Sequence, residues 1–244
     1  MSTRVYDLPT RIFHWLFALS FSIAFIIANT IDDEEATFSY HMIAGLIMCF
    51  SLLWRFFWGL LGTQHARFND FTLKPTQLSD YLRGAMSGAL YRWAGHNPAS
   101  SWAAVLMMLL AAGLGVSGYA MISGRAGDSV EELHELMANA FIILVVLHLA
   151  GILLHTWKYR DALSKSMITG IKKHLPDGQV SVAPHISVGI IAFLLTVGAT
   201  AYLLLHFDTE TRQLKIGSIE LHLAEFEEDE NEYKSYQDQD RKDD

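Results

Sequence analysis

The chain has 244 residues, of which 51% are hydrophobic and 12% aromatic; its mean hydropathy is positive and its formal net charge is −8. It is too apolar for an ordinary soluble domain of this length and reads as a small, all-α polytopic membrane protein, with lipid as its surroundings and no nucleic-acid partner expected. The single cysteine, Cys49, excludes an intramolecular disulfide.

Five apolar stretches are long enough to span a bilayer, at residues 12–29, 41–61, 102–122, 136–157 and 186–206. The first has a charged start like a secretory signal, but it lacks a clean small-x-small cleavage site and more spans follow, so it is expected to be retained. Between the second and third spans, residues 77–93 carry apolar side chains at Leu78, Tyr81, Leu82, Ala85, Met86, Ala89 and Leu90, the spacing of an amphipathic helix lying on the membrane surface. Residues 176–184 form a loop marked by Pro, Gly and Asp. Beyond His206 the chain changes character: residues 207–244 hold 13 Asp and Glu against 5 Lys and Arg, which accounts for the whole net charge. Residues 214–223 alternate as a strand or hairpin would, and from Glu225 onward disorder is expected.

Charge placement sets the expected orientation. With the N-terminus cytoplasmic, Arg4, Arg11, Arg55, Arg67, Lys74, Arg83, Arg92, Lys158, Arg160, Lys165, Lys172 and Lys173 all fall inside and, ahead of the C-terminal tail, only Arg125 outside, while Asp32, Asp33, Glu34, Glu35, Asp128, Glu131 and Glu132 lie in external connections. Five spans then put the C-terminus outside.

His134 and His148 lie fourteen residues apart. At about 100° per residue fourteen steps nearly close four turns, so both imidazoles project from one face, about 21 Å apart along the axis. Ionisable residues inside a membrane are expensive and mark function by default. His14, near the cytoplasmic start of the first span, falls level with His148; His41, near the external start of the second, falls level with His134. Two histidines at each of two levels are what two six-coordinate b-type haems require. With no Cys-x-x-Cys-His sequence, such haems are held non-covalently. Both axial positions would be filled by protein, so the chemistry left is one-electron transfer. Against this stands the reading of each histidine as a hydrogen-bonded packing residue, which four at matching depths make the weaker one.

Arg55 follows His41 by fourteen residues and shares its face at the cytoplasmic end, where it either pairs with a propionate of the inner haem or snorkels to the interface. His155 shares the face of His148 near the cytoplasmic edge and is a candidate ligand substitute, propionate partner or quinone contact. His65, His96, His174, His185, His206 and His222, in loops or at span ends, are expected to be solvated.

The opening Val5-Tyr6-Asp7-Leu8-Pro9-Thr10-Arg11-Ile12-Phe13-His14-Trp15, with residues 41–45, Trp54-Arg55, Ala66-Arg67-Phe68, Tyr81-Leu82-Arg83-Gly84, Gly95-His96-Asn97-Pro98, Leu133-His134-Glu135, Leu147-His148 and residues 162–170, resembles the bacterial cytochrome b561 family, related to the cytochrome b subunit of nickel-iron hydrogenases. The resemblance covers about residues 1–175 and implies a four-helix domain with two b haems, His14 and His148 on the inner and His41 and His134 on the outer. It also implies electron exchange between membrane quinone and a redox partner. The expected organisation is therefore a di-haem four-helix transmembrane domain over residues 1–175, a fifth transmembrane helix with its loop over 176–206, and an acidic periplasmic tail over 207–244.

Two functions remain open: an electron-transfer subunit wiring quinone to a periplasmic partner, or a stand-alone oxidoreductase of the superoxide:quinone type. An anionic radical should be steered by positive charge. The acidic external loops and tail favour the first, with a cationic periplasmic cytochrome or dehydrogenase subunit as partner.

Overall fold

The computed structural model describes residues 2–88, 93–123, 127–159, 163–173, 175 and 178–223. The tail from Glu225, and Arg92, Arg125, Arg160 and His174, lie outside the described residues.

Five helices are long and apolar enough to cross a membrane: α1 (Leu8–Thr30), α2 (Ser39–Leu61), α4 (Pro98–Ile122), α5 (Asp128–Tyr159) and α7 (Ile186–Leu205). The shorter α3 (Pro75–Ser87) and α6 (Ser166–Thr169) lie in the connections. Local chemistry explains the ends. Asp7 and Asn97 cap α1 and α4, each accepting the backbone N–H three residues on, and Pro9 and Pro98 occupy first-turn positions whose N–H groups need no partner. The fourth span starts earlier than its apolar stretch suggests, because Asp128 and Glu131 in the first turn favour the positive helix N-terminus and carry the helix past His134. The expected amphipathic helix over 77–93 is instead α3, shifted toward the N-terminus; it is stopped by Gly88 at φ +90, a left-handed position that a side chain would strain.

α1 packs along α2 and α7, and α4 along α5 and α2. α5 meets α1 through aromatic side chains: Phe141, 1% exposed, lies 4.1 Å from Phe21 and 6.0 Å from Phe17 between ring centroids. Phe17, Phe21, Met48, Ala111, Leu114 and Phe141 form a dry mid-bundle layer.

The N-terminal end of the bundle is tied together by strands β1 (Ser2–Arg4) and β2 (Ile171–Lys173), paired antiparallel. Gly170, at φ +78, turns the chain so that its carbonyl accepts from the backbone N–H groups of Val5 and Tyr6. The opposite end carries a three-stranded antiparallel sheet of β3 (Phe207–Asp208), β4 (Gln213–Ile216) and β5 (Ile219–His222). The alternation at 214–223 is therefore a hairpin, and its inward residues Leu214 and Leu223 join Ile43, Ile122 and Leu203 in a second apolar cluster. Ser39 Oγ donates to the Leu223 carbonyl at 2.6 Å, and Arg212 donates to the Glu34 carbonyl. The sheet caps this end of the bundle.

Candidate functional site

The four histidines fall into two pairs on either side of the Phe141 layer. At the capped end, the ring centroids of His41 and His134 lie 6.2 Å apart. His41 Nδ1 lies 2.9 Å from the Ala24 carbonyl, an acceptor only, so Nδ1 carries the proton. His134 Nδ1 is 2.8 Å from Ser117 Oγ, which donates its own proton to the Gly113 carbonyl at 2.9 Å and therefore accepts from the imidazole. Both rings are thus left with an unprotonated Nε2, the state a metal ligand needs. A metal–imidazole bond of about 2 Å plus about 1 Å from nitrogen to ring centre places each centroid about 3 Å from a shared iron, about 6 Å between centroids. The observed spacing fits. Glycines flank the pair: a Cβ built on Gly45, one turn beyond His41, meets nothing within 4 Å, and one on Gly118 would touch the His134 ring, 3.6 Å from Cε1.

At the N-terminal end, His14 on α1 and His148 on α5 come within electrostatic range of one another. His14 Nδ1 is buried and has no hydrogen-bond partner. So are Thr10 Oγ1, Trp54 Nε1, Arg55 Nη1, His96 Nδ1, Trp102 Nε1 and Thr156 Oγ1, all at this end of the bundle. Buried polar atoms are seldom left unpaired. Their concentration at one level leaves this end with unused hydrogen-bonding capacity that a bound polar group could take up.

Arg55 is buried at 4% exposure, its guanidinium carbon 4.8 Å from the Phe68 ring centre, 5.7 Å from Phe71 and 5.8 Å from Phe13. The ring faces hold the cation while Nη1 stays available to an anion. Asp7, fully buried, anchors the wall. Its carboxylate accepts from the Thr10 N–H at 3.0 Å, Trp58 Nε1 at 3.1 Å and the Thr63 hydroxyl at 2.7 Å, joining the start of α1 to the end of α2. His155 is half-buried near the end of α5, seven residues past His148.

Two histidines expected in solvent lie inside. His65 is 4% exposed, its Nδ1 2.9 Å from Asp70 Oδ2. His96 lies 4.8 Å from Phe71 and 5.8 Å from Tyr6 between ring centres. Burial, and after it the nearby Arg55, Lys172, His65 and His148, push its pKa down to about 3, so it is neutral at physiological pH. Burial, then Asp70, raises the Tyr6 phenol. Lys172 Nζ closes the cluster by donating to the carbonyls of Ala94 at 2.8 Å and Gly95 at 3.1 Å. The loop prolines and glycines around these histidines signalled solvent exposure, and no local pattern reveals that the loops fold back over the bundle. The exposed His185, His206 and His222 are as expected.

Among the described residues, no cluster of three or more His, Cys, Asp or Glu is placed to hold a metal ion by itself. The histidines come in twos. A family model described as prokaryotic cytochrome b561 matches residues 5–170. The chain belongs to the prokaryotic cytochrome b561 family. As a cytochrome b561 it is an all-α membrane protein of the b-type haem class, and its general activity is electron transfer across a membrane. No curated protein and no solved structure shows a significant match. The matched region ends before α7, so the fifth helix and the β-sheet cap lie outside the shared domain.

Proposed function

We propose that this cytochrome b561 carries electrons through two b-type haems between membrane quinone and a periplasmic redox partner. His14 and His148 would ligate the inner haem, and His41 and His134 the outer. The observation that carries the reading is the His41–His134 pair, with ring centres 6.2 Å apart and each Nδ1 engaged by an acceptor. Bound haem would supply one-electron transfer. The protein's part is to fix the imidazole tautomers, exclude water with the Phe17–Phe21–Phe141 layer, and present Arg55 and the unpaired donors around it to the inner propionates. A reduced-minus-oxidised visible spectrum with haem quantitation tests this; two haems per chain with low-spin spectra are expected, and one or none rejects the reading.

The Ser117 hydroxyl accepts from His134 and so makes that imidazole a stronger donor. Ser117→Ala should weaken outer-haem binding by about 10–100-fold. It should also raise the outer midpoint potential, since a weaker donor favours ferric iron less. Redox titration reads the shift, and an unchanged potential would remove Ser117 from the role.

The proposed quinone site is the N-terminal end, the end of the bundle that holds the inner pair, Arg55, His155 and α3; α3 is tied there by Lys158 Nζ donating to the Ala85 carbonyl at 3.3 Å. His155→Ala should slow haem reduction by quinol about tenfold, the effect of one lost hydrogen bond, with haem content intact. Stopped-flow reduction at unchanged rate would exclude His155 from the site.

The positive-inside pattern supports an inner-membrane protein with its N-terminus cytoplasmic and its C-terminus periplasmic. On that topology the acidic tail would be exported to the side of the outer pair and would suit a cationic cytochrome or dehydrogenase subunit, whose association would be fast and salt-sensitive.

A further inference from the structure

A cavity of about 320 Å³ opens to the lipid side of the bundle between α1 and α7. Arg11, Trp15 and Leu19 of α1 form one wall, Phe193 of α7 the other, and Met167 and Ile168 the end. It lies beside a close approach of the two helices, since a Cβ on Gly189 would stand 2.6 Å from Leu8 Cγ. The polar and apolar parts are separated. At the N-terminal end, Trp15 Nε1 donates to the Met167 carbonyl at 3.0 Å and Arg11 to the Ile168 carbonyl. Farther along, Leu19 and Phe193 are 58% and 44% exposed.

The polar end carries an excess of positive charge. Arg4 Nη1 and Arg11 Nε both approach the same point, 3.3 and 3.4 Å from where a Cβ on Gly170 would stand. Asp7 acts electrostatically on Arg11, but it is one buried carboxylate against two guanidiniums, and its oxygens already accept from Thr10, Trp58 and Thr63. Two adjacent guanidiniums at the membrane surface repel each other unless an anion lies between or beside them. From Leu8 to Leu19 α1 rises about 16 Å, about half the thickness of the hydrocarbon core, which is the depth of one acyl chain.

We propose that this groove holds one anionic phospholipid, its phosphodiester on Arg4 and Arg11 and one acyl chain along Leu19 and Phe193, bracing the fifth helix against α1. A neutral quinone headgroup would leave the excess positive charge without a further counter-ion, and a free phosphate would leave the apolar slot unfilled. The site is independent of the haem assignments.

Native mass spectrometry of the haem-loaded protein, delipidated in detergent and titrated with phosphatidylglycerol or phosphatidylcholine, tests it. One phosphatidylglycerol should bind per chain at about tenfold higher affinity than phosphatidylcholine. The Arg4→Gln/Arg11→Gln double variant should bring the two lipids close to parity, and Leu19→Trp, which fills the slot but keeps the charges, should weaken both. Haem content equal to the unsubstituted protein certifies folding, and should the double variant fail that check, Leu19→Trp decides alone. Equal affinity for the two lipids, binding unchanged in the variants, displacement by millimolar inorganic phosphate, or a co-purifying quinone lost on Leu19→Trp would each overturn the proposal.

Discussion

Replacing His41 or His134 by Ala is expected to leave one haem per chain, the inner one, and replacing His14 or His148 to leave the outer. The axial nitrogen is the only strong bond each histidine brings, and an alanine offers nothing in its place. The rest of the bundle should survive. His41→Ala frees the Ala24 carbonyl and His134→Ala frees Ser117 Oγ, each costing roughly 1 kcal/mol, small beside the mid-bundle packing. That packing keeps the two levels independent, because Phe17, Phe21 and Phe141 fill the space between them whether or not either level is occupied. Haem extraction and quantitation on the four variants, with His65→Ala and His206→Ala as controls retaining both haems, reads the outcome. Equal losses in all four, or none, would defeat the pairing.

Asp7→Ala should destabilise the inner level more than any other substitution outside the ligands. It removes the cap of α1 and leaves Thr10 N–H, Trp58 Nε1 and the Thr63 hydroxyl without their acceptor in a fully buried site. A lost cap costs about 1 kcal/mol and a buried donor left unpaired about 1–3 kcal/mol, so about 3 kcal/mol or more is expected. His14 follows Asp7 by seven residues on α1 and Arg55 lies within electrostatic range of it, so the inner haem should be released first on heating. Asp7→Asn retains one amide oxygen for the cap and should lie between. Thermal melts followed by the haem band and by circular dichroism separate the two events. An Asp7→Ala protein that melts with the unsubstituted one would show that the cap and its cross-links carry little of the structure.

The buried loop histidines mark where sequence reasoning reached its limit. The His65 and His96 loops contain Pro, Gly and Asp, which specify turns but not what a turn packs against. Their burial arises from contacts across the chain: Lys172 reaching the carbonyls of Ala94 and Gly95, and Tyr6 and Phe71 enclosing His96. The same holds for the β-sheet cap, whose alternation was legible at 214–223 while its seat on Ile43, Ile122 and Leu203 was not.

The sequence alone determined the five spans and the shared face of His134 and His148. Both follow from local backbone geometry, a rise of about 1.5 Å and a turn of about 100° per residue acting on apolar length and spacing. Depth along antiparallel spans also put His41 level with His134. Only the tertiary structure decided that their rings stand 6.2 Å apart, that Ala24 and Ser117 fix both tautomers, and that the unpaired donors gather at the N-terminal end. Those facts depend on which helix faces meet. That choice is made by close packing among residues far apart in sequence, Phe141 against Phe17 and Phe21 foremost, and periodicity within one helix carries no record of it.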